Sequence, residues 1–263
     1  RERVRRMREE RGVAELEKDA LYGRRPRDFR RAFMDSGPRV IAEIKFASPS
    51  RGRIFPGEPS AAQAVRVAEQ YLSGGAAALS VLTEPEFFKG DVEYLRAIRR
   101  AQPEAPLLMK DFVIDVYQLH LARWAGADAV LLIVAALGRR LAGLLESVQA
   151  LGLYALVEVH TEEEMAAARR AGAVLIGVNC RDLKTLKTDL DVARRLASTH
   201  GSALTAKGKA TVRPQPVLIA ESGMSRRAEL DELAAAGYRG FLVGTTLMET
   251  GQPGFALRKL LAS

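Results

Sequence analysis

Short runs of apolar and β-branched residues alternate with helical patterns eight times along this chain of 263 residues. The runs are Arg39–Lys45, Ala78–Leu82, Pro106–Lys110, Ala129–Val134, Leu153–Glu158, Val174–Val178, Val217–Ala220 and Gly240–Val243. Gly37-Pro38 and Ser48-Pro49 bracket the first, as turn residues bracket strands. The fourth is almost wholly apolar, which suits a strand covered on both faces. Helix signals fall between the runs. Ser60 caps a pattern through Tyr71 that Gly74-Gly75 closes, Asp91 opens one ending before Pro103, and Asp115 caps one stopping at Gly126. Thr161 with Glu164 forms a capping-box signature for a helix ending at Gly172. Further helices are expected from about Asp189, from Ser225 to Gly237, and from near Gly254 to Leu261. Strict strand–helix alternation calls for a parallel sheet with right-handed crossovers. Eight repeats close into a (β/α)8 barrel, so the expected class is α/β with residues 39–263 as one barrel domain. A doubly wound sheet would carry Gly-x-Gly-x-x-Gly after its first strand, and residues 46–52, Phe-Ala-Ser-Pro-Ser-Arg-Gly, are not that fingerprint.

Residues 1–38 precede the first strand and read as helical around Val4–Leu21, too short for a core of their own. They are expected to pack on the barrel as an extension. The segment from His200 to Pro216, with Lys207, Gly208, Lys209 and two prolines, reads as an exposed loop. No stretch approaches the ~18 apolar residues a membrane span needs. The single cysteine, Cys180, excludes an intramolecular disulfide framework and fits a cytoplasmic enzyme. Three histidines, His120, His160 and His200, lack ligand spacing, so no metal site is expected. The net charge is +8, and residues 1–38 supply +4 of it, with twelve Arg/Lys against eight Asp/Glu. Acidic residues interrupt these cations, which points to solvated ion pairs rather than a nucleic-acid surface. A small anionic substrate suits the charge as well.

Ionisable residues recur at the C-terminal ends of the runs, where a barrel builds its site. Glu43 and Lys45 alternate onto the same face, as a local ion pair or as site groups. A lysine among apolar neighbours has a readily lowered pKa and can act as an acid near neutrality. Lys110 ends the third run; alone it reads equally as a snorkelling cation. Glu158 ends the fifth between valines, where a raised pKa is expected of a proton-exchanging carboxylate; a carboxylate bonded to Arg181 or a lysine is the alternative. Ser222-Gly223 and Gly244-Thr245 follow the seventh and eighth runs, where barrels commonly bind phosphate through backbone N–H groups. Phe87, Phe88 and Phe112 fit either an apolar wall or ordinary loop packing. Cys180 has no activating base nearby in sequence and reads as incidental.

These strings together resemble the indole-3-glycerol phosphate synthase family. The matching segments are Ile41–Lys45 with Ala47–Ser50, Ser80–Pro85, Met109–Phe112 and Leu156–His160; then Gly177–Asn179 with Arg181–Leu183, Ala220–Gly223 and Val243-Gly244. The resemblance implies ring closure, decarboxylation and dehydration of 1-(2-carboxyphenylamino)-1-deoxyribulose 5-phosphate, with no cofactor or metal. It implies Lys110 as the general acid of ring closure and Glu158 as the base of dehydration. Lys45 would orient substrate or serve as second acid, with Glu43 holding it. Asn179 and Arg181 would position the substrate, and Glu221 would support hydroxyl or lysine geometry. Ser222, Gly223, Gly244 and Thr245 would grip the phosphate, Ser48 and Ser50 would line the first loop, and Phe88 and Phe112 would enclose the aromatic ring. A monomer is expected, with the phosphorylated substrate and other tryptophan-pathway enzymes as partners, and no membrane or nucleic acid.

Four features depart from the family's usual pattern. Phe46 stands for a basic residue, Cys180 for a second Asn and Thr245 for a frequent Ser, and residues 201–216 look long. An aldolase using Lys110 as a Schiff-base nucleophile is the nearest alternative. A non-catalytic anion-binding protein is the next, against which Glu43, Glu158 and Glu221 count by repelling phosphates.

Overall fold

The structure is a computed structural model and describes residues 1–49, 51–182, 185–202 and 215–262, with the backbone alone at 199–202. Eight parallel strands close into a barrel: β1 (Arg39–Ile44), β2 (Ala78–Leu82), β3 (Leu107–Lys110), β4 (Ala129–Ile133), β5 (Tyr154–Val159), β6 (Leu175–Asn179), β7 (Val217–Glu221) and β8 (Gly240–Val243). Sequential strands pair and β8 returns to β1, with Arg39 opposite Gly240 and Ile41 opposite Ala78. Nearly every strand residue is buried, because the helical ring covers one face and the barrel interior the other. The expected (β/α)8 architecture is therefore the observed one.

Most helix starts follow their caps. Ser60, Asp91, Asp115 and Thr161 each accept a backbone N–H in the first turn of helices Ala61–Ser73, Val92–Ala101, Val116–Ala125 and Glu162–Ala171. Others begin elsewhere than expected. Arg226 rather than Ser225 precedes helix Arg227–Ala235, because the Glu229 carboxylate reaches back to the N–H groups of both residues. Helix Asp191–Ser202 starts two residues after Asp189, whose side chain accepts the Asp191 N–H. That helix runs into the stretch expected to be a loop, and the remainder of the expected loop, 203–214, lies outside the described residues. Short helices at Pro85–Phe88, Val134–Leu137 and Thr245–Met248 were not foreseen, being too brief to carry periodicity.

The extension is not one helix. Gly12 adopts an extended backbone and splits Glu2–Glu10 from Val13–Leu16, and Ala20–Gly23 and a 3-10 turn at Phe29–Phe33 follow. Phe29 and Phe33, fully buried, fill the N-terminal end of the barrel against Ile41, Leu108, Leu131, Leu156 and Ile219. Gly240 leaves room for them: a Cβ there would stand 2.8 Å from Phe33. The earlier helices climb along helix Val116–Ala125, where the Tyr117 hydroxyl lies 2.9 Å from the carbonyl oxygens of both Met7 and Arg11. Several of the extension's cations are spent on barrel acids. Arg24 bonds to the fully buried Asp128 at 2.5 Å, Arg27 to Glu104 at 2.6 Å, and Arg8 to Asp115.

Candidate active site

The strand register sets one polar layer at the C-terminal end of the barrel. Leu82 pairs with Lys110, Ile133 with Glu158, Glu158 with Gly177, and Asn179 with Glu221. Above this layer lies a cavity of about 770 Å³, within the range of small-molecule sites. Glu43, Lys45, Ser48, Phe88, Lys110, Phe112, Glu158, Asn179, Arg181, Ser222, Gly223, Gly244 and Thr245 all line it. Ser50 lies outside the described residues. Glu221 is fully buried beneath the cavity and does not line it.

Lys110 is the hub. Its Nζ donates to Glu221 Oε2 at 2.6 Å and stands 3.7 Å from Glu158 Oε2. Burial pulls the ammonium's pKa down, but Glu221, Glu158 and Glu43 outweigh it and hold the pKa above the ordinary lysine value. At Lys110 the carboxylates thus outweigh the downward pull of burial. Glu221 is pushed upward to about 7: burial is the main cause, opposed by Lys110 and reinforced by Glu158 and Glu43. Gly177 makes room for it, since a Cβ there would fall 1.9 Å from Glu221 Oε1. Glu158 is not held by apolar side chains alone. It has Lys110 on one oxygen and His160 Nε2 at 3.5 Å from the other.

Glu43 and Lys45 are both an ion pair and site residues, with Lys45 Nζ 2.6 Å from Glu43 Oε1 and both facing the cavity. Burial opposes ionisation of Glu43, yet Lys45, Lys110 and Arg181 hold its pKa below the usual carboxylate range. Phe46 turns away from the site and packs edge-on against Phe55 and Tyr94, so its replacement of a basic residue removes no cavity group. Asn179 Oδ1 accepts the Arg181 N–H at 3.0 Å, and the Arg181 guanidinium donates to the Leu186 carbonyl at 2.8 Å, all three residues lining the cavity wall. Cys180 is buried beside this turn and its thiol is pushed up to about 12, chiefly by burial, so it stays uncharged.

Ser222 and Gly223 both have left-handed backbones, with φ of 69° and 90°, which turn the chain sharply after β7. Gly244 precedes the short helix Thr245–Met248, and a Cβ there would stand 2.5 Å from Glu43 Oε1. The Phe88 and Phe112 ring centres lie 6.3 Å apart with the planes tilted by 49°. Sequence reading missed what sets these rings. Glu84 accepts the N–H groups of Glu86, Phe87 and Phe88, and Asp111 accepts that of Phe112. Arg3 of the extension bonds to Asp111 and stands 3.8 Å from Glu84. No local signal marks an arginine 108 residues from its partner.

A closed parallel barrel with acids, lysines and anion-ready glycine turns gathered at its C-terminal end belongs to the class of (β/α)8 enzymes acting on small anionic substrates. The sequence model of one family, Indole-3-glycerol phosphate synthase, matches residues 1–260. An indole-3-glycerol phosphate synthase of Mycolicibacterium gilvum is 45% identical over 95% of this chain and 86% of the relative. One of Carboxydothermus hydrogenoformans is 40% identical over 95% of this chain and 90% of that protein. Among solved structures, a 3-hexulose-6-phosphate synthase superposes with a TM-score of 0.63 at 16% identity, covering 84% of this chain and 97% of the other, a likeness of fold alone. The chain belongs to the indole-3-glycerol phosphate synthase family, decarboxylating lyases of tryptophan biosynthesis that act on a small phosphorylated substrate.

Proposed function

We propose that this chain closes, decarboxylates and dehydrates 1-(2-carboxyphenylamino)-1-deoxyribulose 5-phosphate, with Lys110 as general acid and Glu158 as general base. The carrying observation is the Glu158–Lys110–Glu221 row at the cavity floor, an ammonium between two carboxylates. In ring closure the aromatic carbon bearing the carboxylate attacks the ribulose carbonyl, and negative charge grows on the carbonyl oxygen. The Lys110 ammonium, kept charged by its three carboxylates, hydrogen-bonds that oxygen and gives it a proton. Loss of carbon dioxide returns its bonding electrons to the ring. Water then leaves from the new hydroxyl-bearing carbon, the hydroxyl taking a proton from Lys45 or Lys110 while Glu158 removes one from the neighbouring carbon. The lysine recovers its proton from solvent and Glu158 releases its own.

The other groups bind. Ser222, Gly223, Gly244 and Thr245 offer backbone N–H groups and hydroxyls to the phosphate at the start of Thr245–Met248, which no side chain among the described residues caps. Phe88 and Phe112 enclose the aromatic ring, Ser48 and Arg181 flank it, and Asn179 fixes Arg181. One chain supplies every group used, so the proposed working unit is a monomer, which sedimentation checks.

Carbon dioxide release and indole fluorescence, followed together, separate the two roles. Lys110→Met is expected to block both. Glu158→Gln is expected to release carbon dioxide while indole lags by about a hundredfold or more, the contribution of one general base. Equal losses of both signals in Glu158→Gln would contradict its placement in dehydration. Borohydride trapping of a substrate adduct on Lys110 would favour the aldolase reading instead.

A further inference from the structure

At the end of β5 an imidazole sits between two carboxylates. His160 Nε2 lies 3.5 Å from Glu158 Oε1, and its Nδ1 lies 3.5 Å from Glu164 Oε2. Both ring nitrogens are shut off from solvent, and neither has a well-formed hydrogen bond. A neutral ring has one donor and one bare acceptor, and a bare acceptor facing a carboxylate gains nothing; an imidazolium has a donor for each. The side chain is not needed to cap the helix that follows. Glu164 accepts the backbone N–H of His160 at 2.6 Å, which any non-proline residue there supplies. His160 does not line the cavity, so it acts only through Glu158.

The groups around the ring agree. Glu158 faces it from its own strand, Glu164 from helix Glu162–Ala171, and Glu221 from β7. Lys110 of β3 touches the other oxygen of Glu158 and leaves Oε1 to the ring. The segment Val134–Leu137 after β4 brings no charge, and Cys180 after β6 is neutral. Burial disfavours the ring's proton, but the three carboxylates outweigh it and hold the His160 pKa above its ordinary value.

We propose that His160 is a positioning residue for the known reaction: an imidazolium seated between Glu158 and Glu164 that keeps Glu158 ionised and aims it at the substrate. This rests on the reading of Glu158 as the base. With the ring removed, Glu158 loses one of the two cations that lie within 4 Å of it among the described residues, and an acid with less cationic support binds its proton more tightly.

His160→Gln and His160→Asn are compared with wild type in kcat–pH profiles. The expected result is a kcat about tenfold lower at pH 7, KM within about twofold, and an acid limb displaced upward by about one pH unit. A uniform loss with no displacement of the limb would overturn the proposal. A second readout does not depend on variants of residue 160. With only three histidines in the chain, the His160 ring can be followed by NMR in wild type. It should lose its proton at a higher pH than an ordinary imidazole, and at a lower pH in Glu158→Gln than in wild type. Titration at the ordinary value, indifferent to Glu158→Gln, would overturn the proposal. Full kcat in Glu158→Gln would sink the base assignment and this proposal together. An inactive Glu158→Gln beside an unshifted His160→Gln profile sinks this proposal alone.

Discussion

At the scale of single residues, the site depends on a glycine as much as on its acids. Gly177 has no catalytic atoms, yet a methyl group there would occupy the place of the Glu221 carboxylate that holds Lys110. Overpacking of this kind costs about 1–3 kcal/mol. Gly177→Ala should therefore reduce kcat at least about tenfold, the equivalent of ~1.4 kcal/mol, by moving Lys110 rather than by unfolding the barrel. Steady-state kinetics beside a thermal melt would show it, and a wild-type kcat would remove Glu221 from the positioning of the lysine. Glu221 also ties stability to pH. Its folded pKa stands near 7, above its ordinary 4.5, so its contribution is fully present below pH 4.5 and is lost as pH rises through about 7. Glu221→Gln cannot ionise. The drop in urea midpoint between pH 5 and pH 8 should be smaller in that variant than in wild type, and an equal drop would place the titration elsewhere.

At the scale of elements, the extension works at both ends of the barrel. Phe29 and Phe33 close the bottom, and truncating one fully buried aromatic leaves a cavity the rigid strands cannot collapse into. Phe29→Ala should lower unfolding free energy by ~3–5 kcal/mol in denaturant titrations. A loss under 1 kcal/mol, the scale of surface substitutions, would mean that the plug is dispensable. At the top, Arg3 bonds to the carboxylates that set Phe88 and Phe112. Both phenylalanines line the cavity, and the proposed steps give them binding and no proton transfer. Arg3→Ala should raise KM about three- to tenfold with kcat nearly unchanged, the signature of lost binding that is uniform between ground and transition states. A fall in kcat with KM constant would contradict that assignment.

At the scale of the whole molecule, ion pairs join extension to barrel and answer to acid. Arg96 hydrogen-bonds Asp19 and holds its pKa low, and the cations around Glu43 do the same against burial. Groups with depressed folded pKa values stabilise above their unfolded values and lose that contribution as pH falls through the folded ones. Hydrogen exchange in residues 1–23 should therefore accelerate below about pH 4, before the barrel strands open; simultaneous opening would mean one cooperative unit. Much of this architecture was legible in the chain. The eight strands could be read because each is an apolar run bounded by breakers, and the lining residues because charge at the end of such a run is costly unless used. Contacts distant in sequence could not be read. Nothing near Arg3 points to Asp111, nothing near Gly177 points to Glu221, and the reversal of the Lys110 shift needed three carboxylates from three other strands. The most direct measurement is turnover of 1-(2-carboxyphenylamino)-1-deoxyribulose 5-phosphate by the wild-type chain, with indole fluorescence and carbon dioxide counted together. One indole product per carbon dioxide, with both signals lost in Lys110→Ala, is the expected result. Well-folded protein that releases neither from this substrate would contradict the proposed reaction.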